Sequence, residues 1–288
     1  MRQEGTEKKK SQFAAVMKRL AKNKMAVVGA IVVVLLVLVA IFADFIAPYD
    51  YAQQDFMALL QGPSREHLLG TDNLGRDILS RLIYGARLSL QLGIFSVILA
   101  AILGGILGSI AGYYGGMADN LLMRFLDIYQ SVPGLVMCVA MAAAFGSGVD
   151  KSILAIGITT MAGYARMMRS SILTIKGTEY IEAARAVKGS DLHIIVKHII
   201  PNAISPMIVQ MTMGIGGAIL LGSMLGFVGL GVPAPAPEWG TMLADGRAYM
   251  RDYGYMVLFP GIAIIITVLA FNLLGDGLRD ALDPKLKN

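Results

Sequence analysis

The feature that most constrains this chain is a succession of uncharged apolar runs, each close to the roughly 20 residues that a helix needs to cross a bilayer. The run from Ala26 to Ala43 contains no charged residue. It is longer than the apolar core of a cleaved signal peptide and lacks a clear small-residue cleavage site, so it reads as a retained first span. Further spans are expected at about Leu88–Gly112, Leu121–Phe145, Ser152–Ala165, within Asn202–Pro237, and at Gly254–Leu274. The fold expected is therefore an all-α polytopic membrane protein with six transmembrane helices. Composition agrees: 16% of the 288 residues are charged and 56% hydrophobic, where soluble domains carry about a quarter charged residues.

Charge sits at the edges of these runs. Residues 1–25 hold Lys8, Lys9, Lys10, Lys18, Arg19, Lys22 and Lys24, with Phe13, Val16, Met17 and Leu20 on one helical face. That pattern is an amphipathic segment lying on the membrane surface. Arg166 and Arg169 follow the fourth span, and Arg279, Lys285 and Lys287 follow the last. Six spans put both termini on one side, and the positive-inside rule makes that side the cytoplasm. The chain then divides into a cytoplasmic segment 1–25, a first span 26–46, an external segment 47–87, a five-helix core 88–275 with a cytoplasmic loop 176–201, and a cytoplasmic tail 276–288. The location expected is a cell membrane, crossed several times. Basic residues confined to span edges form no continuous basic face, which argues against nucleic acid as a partner.

Within the second span Gly104, Gly108 and Gly112 recur every four residues. Such spacing bares one face of the backbone for close approach of another helix, the commoner use of the pattern; a glycine hinge is the alternative. Arg124 and Asp127, three residues apart near the start of the third span, are expected to pair with each other. His67, His193 and His198 are too scattered for a metal site or catalytic dyad and read as surface or capping residues. Asp72, Asn73 and Asp77 lack the ligand spacing of a calcium loop and read as a folded external turn. The single cysteine, Cys138, excludes an intrachain disulfide and reads as a small buried apolar residue.

Between the fourth and fifth spans the chain runs Thr178-Glu179-Tyr180-Ile181-Glu182-Ala183-Ala184-Arg185-Ala186-Val187-Lys188-Gly189-Ser190-Asp191, then reaches Pro201. Ala and Glu favour a first helix, Gly189 suits its C-terminal turn, and Ser190 or Asp191 suits the N-cap of a second helix that Pro201 breaks off. Ala183, Ala184 and Ala186 would let such a pair seat in a groove of another protein, with Glu182 and Asp191 supplying charge. An ordinary solvated loop is the alternative on spacing alone.

Glu182-Ala183-Ala184, the turn glycine and Ile199-Ile200-Pro201 resemble the signature cytoplasmic loop of permease subunits of binding-protein-dependent ABC importers. The glycine departs from the pattern by one residue, since Lys188 stands where that family has it and Gly189 follows. His67-Leu68-Leu69-Gly70-Thr71-Asp72-Asn73-Leu74-Gly75-Arg76-Asp77 through Tyr84-Gly85-Ala86-Arg87 resembles the dipeptide, oligopeptide and nickel branch. So do Gly229-Leu230-Gly231-Val232-Pro233, Glu238-Trp239-Gly240-Thr241-Met242-Leu243, and the tail from Asn272 to Pro284.

The resemblance implies a type I ABC importer permease fold and a coupling helix made by Glu182, Ala183, Ala184, Arg185, Ala186, Lys188, Gly189, Ser190 and Asp191. Its implied partners are a homologous second permease, two ABC ATPase subunits, an extracytoplasmic peptide-binding protein and membrane lipid. No Gly-x-x-x-x-Gly-Lys-Ser/Thr loop occurs in the chain, so ATP and Mg are expected on the ATPase subunits and no cofactor or metal on this one. Nickel and glutathione importers share these motifs. A membrane enzyme would need paired acids, a histidine cluster or a Ser/Lys dyad at one depth, and none is visible. A stand-alone channel or secondary transporter is the remaining rival.

Overall fold

In hydrocarbon every backbone N–H and C=O must find a partner within the protein, so apolar runs of this length fold as helices. The computed structural model describes residues 16–186 and 190–282. Residues 16–20 are helical, and the basic cluster Lys8–Lys10, Phe13, and the last basic residues Lys285 and Lys287 lie outside the described residues. Helix α1 (Lys24–Ile41) starts at Asn23, whose side chain accepts hydrogen bonds from the Met25 and Ala26 N–H groups. A short α2 (Ala43–Ile46) follows, and then an irregular segment leads to α3 (Ile78–Tyr114). Next come α4 (Gly116–Gln130), α5 (Gly134–Phe145), α6 (Val149–Ile175) and α7 (Glu179–Ala186). Helix α8 (Asp191–Ile194) passes through a π-helical turn (Ile195–Ile199) into α9 (Ile200–Phe227); α10 (Trp239–Arg247) and α11 (Tyr255–Leu282) complete the chain.

Four helical runs are long and apolar enough to cross a membrane among the described residues: Lys24–Ile41, Ile78–Tyr114, Asp191–Phe227 and Tyr255–Leu282. Helices α4 and α5 together make a fifth, bent by 88°. Pro133 sits at the bend, in the N-cap position of α5, where a residue without an N–H costs no helical hydrogen bond. Helix α6 is the sixth segment: its 27 residues reach about 40 Å, but Asp150, Lys151, Arg166 and Arg169 leave it less apolar than the others. Helix α3 begins ten residues earlier than expected and, at 37 residues, measures about 55 Å, so its Ile78 end stands well beyond a hydrocarbon layer about 30 Å thick.

Pro201 does not break the chain's helix. The π-helical turn just before it moves the Ile200 N–H onto the Ile195 carbonyl, and this widening makes room for a ring that would strike the preceding turn of a regular helix. The helix therefore runs on from Asp191 to Phe227.

The bundle has two ends. Tyr113, Ile172, Ile181, Ile194 and Ile199 share one buried cluster with Val97, Ala100, Ile156, Tyr164 and Met207, which joins α3, α6 and α9. At the opposite end Ile78, Ala86, Leu90, Trp239, Met242, Met256 and Phe271 form a second. Arg87 closes the C-terminus of α1 there, donating to the Ala40 and Ile41 carbonyls at 2.8 and 3.2 Å and to Asp44 at 3.0 Å. A cation at the carbonyl end of a helix also opposes its dipole. That hydrogen bonding holds the Asp44 carboxyl below its ordinary value.

Helices α3 and α6 pack backbone to backbone. A Cβ on Gly104 would lie 2.3 Å from the Met161 carbonyl, one on Gly108 2.3 Å from the Ala165 carbonyl, and one on Gly112 3.0 Å from Ile172 Cβ. In contrast, Gly261 on α11 faces open space. Gly108→Ala is expected to cost about 1–3 kcal/mol by overpacking and to lower the thermal unfolding midpoint of the detergent-solubilised chain, while Gly261→Ala leaves it nearly unchanged. Equal midpoints for the two variants would refute this account of the contact.

Candidate functional site

The stretch singled out by its Glu-Ala-Ala pattern forms the Tyr113 end of the bundle. Helix α7 starts on the Thr178 carbonyl, which accepts from the Ile181 and Glu182 N–H groups at 3.0 and 3.2 Å. Glu179 and Glu182 in its first turn favour that orientation by facing the positive end of the helix dipole. Ile181 is fully buried and anchors α7 in the cluster with Ile172 and Ile194. Glu182, Ala183 and Ala186 are exposed and Ala184 is half-buried against the cluster. Arg185 is helical, but its side chain, together with all of Val187, Lys188 and Gly189, lies outside the described residues.

Ser190 occupies the N-cap position of α8 with extended backbone, but its side chain makes no capping bond. Asp191, exposed on the next residue, accepts a 2.6 Å hydrogen bond from the buried Tyr113 hydroxyl at the end of α3. Helix α7 and the first turn of the Asp191–Phe227 helix are thus fixed to the bundle by Ile181 and by the Tyr113 hydroxyl, and Ala183 and Ala186 are left facing outward beside Tyr180 and Glu182. The Ala-rich pattern pointed to the outward residues. The anchors, Ile181 and Tyr113, went unread because neither an isoleucine in an alanine helix nor a tyrosine beside a glycine turn announces its partner.

Asp127 pairs across helices and not with Arg124. The Arg166 guanidinium of α6 lies 3.5 Å from the Asp127 carboxylate and also donates to Gln130. Arg169, one turn on, reaches Asp119 at 2.5 Å. The expected pairing three residues along one helix loses because α6 offers its guanidinium to the same carboxylate from the neighbouring helix.

At the other end, the residues read as an external turn make a buried ionic knot. Asp72 accepts from Arg76 Nε at 2.6 Å and from the Leu74 and Arg76 N–H groups at 2.9 Å, and Arg81 Nε lies 3.5 Å away. Arg76 also stands 3.6 Å from Asp245 of α10. Arg81 Nη1 donates to the Tyr51 and Pro235 carbonyls at 3.2 and 3.3 Å. Asp77 caps α3 through the Ser80 N–H and hydroxyl, both at 2.7 Å, and binds His67 Nδ1 at 3.0 Å. His67 is therefore buried, where the sequence suggested a surface or capping residue; it turns inward because the Asp77 carboxylate, whose other oxygen caps α3, offers it a second oxygen. Neither carboxylate is free to serve as a calcium ligand.

Beside the knot, Glu238, quoted above only as part of a motif, is a third buried carboxylate. It caps α10 by accepting from the Gly240 and Thr241 N–H groups at 2.9 Å, and Ser89 of α3 donates to it at 3.3 Å. Burial pushes this carboxyl above its ordinary value against the pull of those hydrogen bonds. A cavity of about 390 Å³ opens next to it, lined in part by Arg81, Thr241, Asp245 and Arg247. Among the described residues no group of three or more His, Cys, Asp or Glu side chains is placed to hold a metal ion.

Residues 104–288 match the family described as binding-protein-dependent transport system inner membrane component. Residues 11–63 match the N-terminal transmembrane domain of oligopeptide transport permease C. The chain is 46% identical over 278 residues to the dipeptide transport system permease protein DppC of Alkalihalophilus pseudofirmus, covering 96% of this chain and 91% of that one. It is also 46% identical over 271 residues to the glutathione transport system permease protein GsiD of Escherichia coli, covering 94% and 89%. Among solved structures it resembles an inward-facing MetNI methionine ABC transporter, with a TM-score of 0.56 and 20% identity over 70% of this chain and 97% of that one. An amino acid ABC transporter has a TM-score of 0.52 and 15% identity over 70% and 94%. These two likenesses concern the fold.

Arg76 and Arg81 are each 3% exposed, so removing their shared carboxylate leaves buried cations short of a partner. Asp72→Ala should destabilise the chain by about 3–5 kcal/mol, whereas Asp252→Ala at an exposed site should stay within about 0.5 kcal/mol. Thermal unfolding in detergent compares the two; indistinguishable curves would remove the knot from the list of structural determinants.

Proposed function

The chain belongs to the family of binding-protein-dependent transport system inner membrane components, and on that premise we propose that it passes di- or oligopeptides across the membrane as one permease of an ATP-driven importer. The observation that carries the reading is the near full-length identity of 46% to a dipeptide permease. The anchored helix α7 with exposed Glu182, Ala183 and Ala186 supports it, because a subunit without a nucleotide-binding loop needs a rigid surface on which another subunit can act.

In this reading two ABC ATPase subunits bind ATP and Mg, and this chain carries no cofactor and no catalytic residue. One ATPase seats on the loop from Glu182 to Asp191. A homologous second permease completes the pathway, and an extracytoplasmic binding protein delivers the peptide. Both termini and the loop lie in the cytoplasm. Movement of α7 is transmitted to α3 and α6 through Ile181, and movement of α8 reaches α3 through the Tyr113–Asp191 hydrogen bond. ATP drives the cycle only if the ATPases bind one permease state more tightly than the other. Glutathione is a second substrate reading, favoured by the equal identity to a glutathione permease; as a tripeptide it falls in the same chemical class.

Ala183→Arg and Ala183→Glu place a bulky charge on the exposed row without touching the Ile181 anchor. Each is expected to reduce ATPase co-purification and peptide uptake by at least tenfold, roughly the effect of 1.4 kcal/mol of lost binding. Association and uptake at wild-type levels in both variants would defeat the assignment of the loop. Uptake of labelled dipeptide and labelled glutathione by the same membranes separates the two substrate readings.

A further inference from the structure

The exposed faces of the long helices are of two kinds. Those of α1, α3 and α11 are aliphatic: Ile31 and Leu35, Ile102 and Ile106, Ile265 and Leu269 are each about half exposed or more, and such faces suit lipid. The exposed face of α6 instead carries Gly163, Arg166, Ser170 and Thr174 at intervals of three and four residues, with Leu173 exposed near its Ile175 end. Helix α4 adds exposed Arg124, Asp127 and Gln130 beside exposed Leu121, Phe125 and Ile128; it is joined to α6 through Arg166, and the Arg166 and Asp127 side chains are 45% and 58% exposed.

Arg166 stands nine residues from the Ile175 end of α6, about 14 Å along the axis. Its guanidinium is held by Asp127 and Gln130 of α4. Next to it, a cavity of about 480 Å³ lies between α6, α9 and α11, lined by Met167, Ser205, Gln210, Met213 and Arg279 among others. Gly163 on α6 and Gly217 on α9 are exposed with open space where a Cβ would stand. Ionised and amide groups on a membrane-spanning bundle, turned away from the chain's own core, are tolerated where they meet water or polar ligand.

We propose that the face formed by Asp127 and Gln130 of α4, Gly163, Arg166 and Ser170 of α6, and Gln210 of α9 is this chain's wall of a water-filled passage. Its ligand class is a short peptide, whose carboxylate and ammonium termini meet Arg166 and Asp127 and whose backbone amides meet Gln130 and Gln210. The proposal rests on the permease reading above and names the surface on which transport takes place. The aliphatic faces of α3 and α11 are left to lipid.

The test uses the complete transporter in membrane vesicles with Cys138→Ala as background, since Cys138 is the chain's single cysteine. Single cysteines replace Gly163 and Ser170 on the proposed wall and Ile106 and Ile262 on the aliphatic faces. A charged, membrane-impermeant methanethiosulfonate is applied to inside-out vesicles, whose outer face is cytoplasmic, and peptide uptake and ATPase co-purification are measured on right-side-out vesicles from the same cells. A thiol ionises in water and not in hydrocarbon, so Gly163→Cys and Ser170→Cys are expected to react on the order of 100-fold faster than the other two. Added dipeptide is expected to slow both reactions.

Equal rates at all four positions, or silence at both Gly163→Cys and Ser170→Cys, would overturn the passage and make this face a lipid contact or a dry interface. Those outcomes with intact uptake leave the permease reading standing. Assembled vesicles of the cysteine-free background that take up no peptide overturn the permease reading instead, whatever the labelling pattern.

Discussion

The architecture depends on one contact, the backbone-to-backbone approach of α3 and α6. In lipid there is no hydrophobic drive to bring two helices together, because the tails are as apolar as the side chains, and close van der Waals packing has to supply the attraction. Gly104, Gly108 and Gly112 provide it by removing every Cβ along one stripe of α3, so that Met161, Ala165 and Ile172 of α6 sit directly against it. This pair then forms the frame on which α9 packs, with Ile156, Tyr164 and Met207 filling the shared cluster.

Each end of that frame is closed by a different physical device. At the Trp239 end, charges do the fixing: Asp72, Arg76, Arg81 and Asp245 bind the irregular segment and α10 to the start of α3. Buried ions are costly unless paired and hydrogen-bonded, so this arrangement specifies one geometry for the loops. At the Tyr113 end the fixing is mainly apolar, through Ile181, Ile194 and Ile199. It holds α7 and the start of the Asp191–Phe227 helix, where Ala183 and Ala186 are exposed beside Tyr180, Glu182 and Leu192.

Polarity along the spans divides the outer surface further. Arg166 and Arg169 first suggest only where α6 leaves the bilayer. In the folded chain Arg169 bridges to Asp119, with its side chain one-third exposed, while Arg166 and Asp127 remain about half exposed. The same residue type thus serves helix packing at one turn and an exposed polar face at the next.

The sequence alone determined that this is a polytopic helical membrane chain, because uncharged runs of span length have no other way to satisfy their backbone. It also marked the glycine stripe and the Ala-rich loop, because both are local patterns whose meaning lies in side-chain size at helical spacing. What it left open were choices between partners far apart in the chain: Asp127 with Arg166 and not Arg124, His67 turned inward onto Asp77, Tyr113 onto Asp191, and Asp72 against two arginines. Pro201 belongs with these, since whether a proline breaks a helix or is absorbed by a π-helical turn depends on what holds the helix on both sides. Only the tertiary structure decided them, because an ionic or hydrogen-bonding group is satisfied by whichever partner packing brings within about 3 Å, and that distance is fixed by the fold and not by sequence separation.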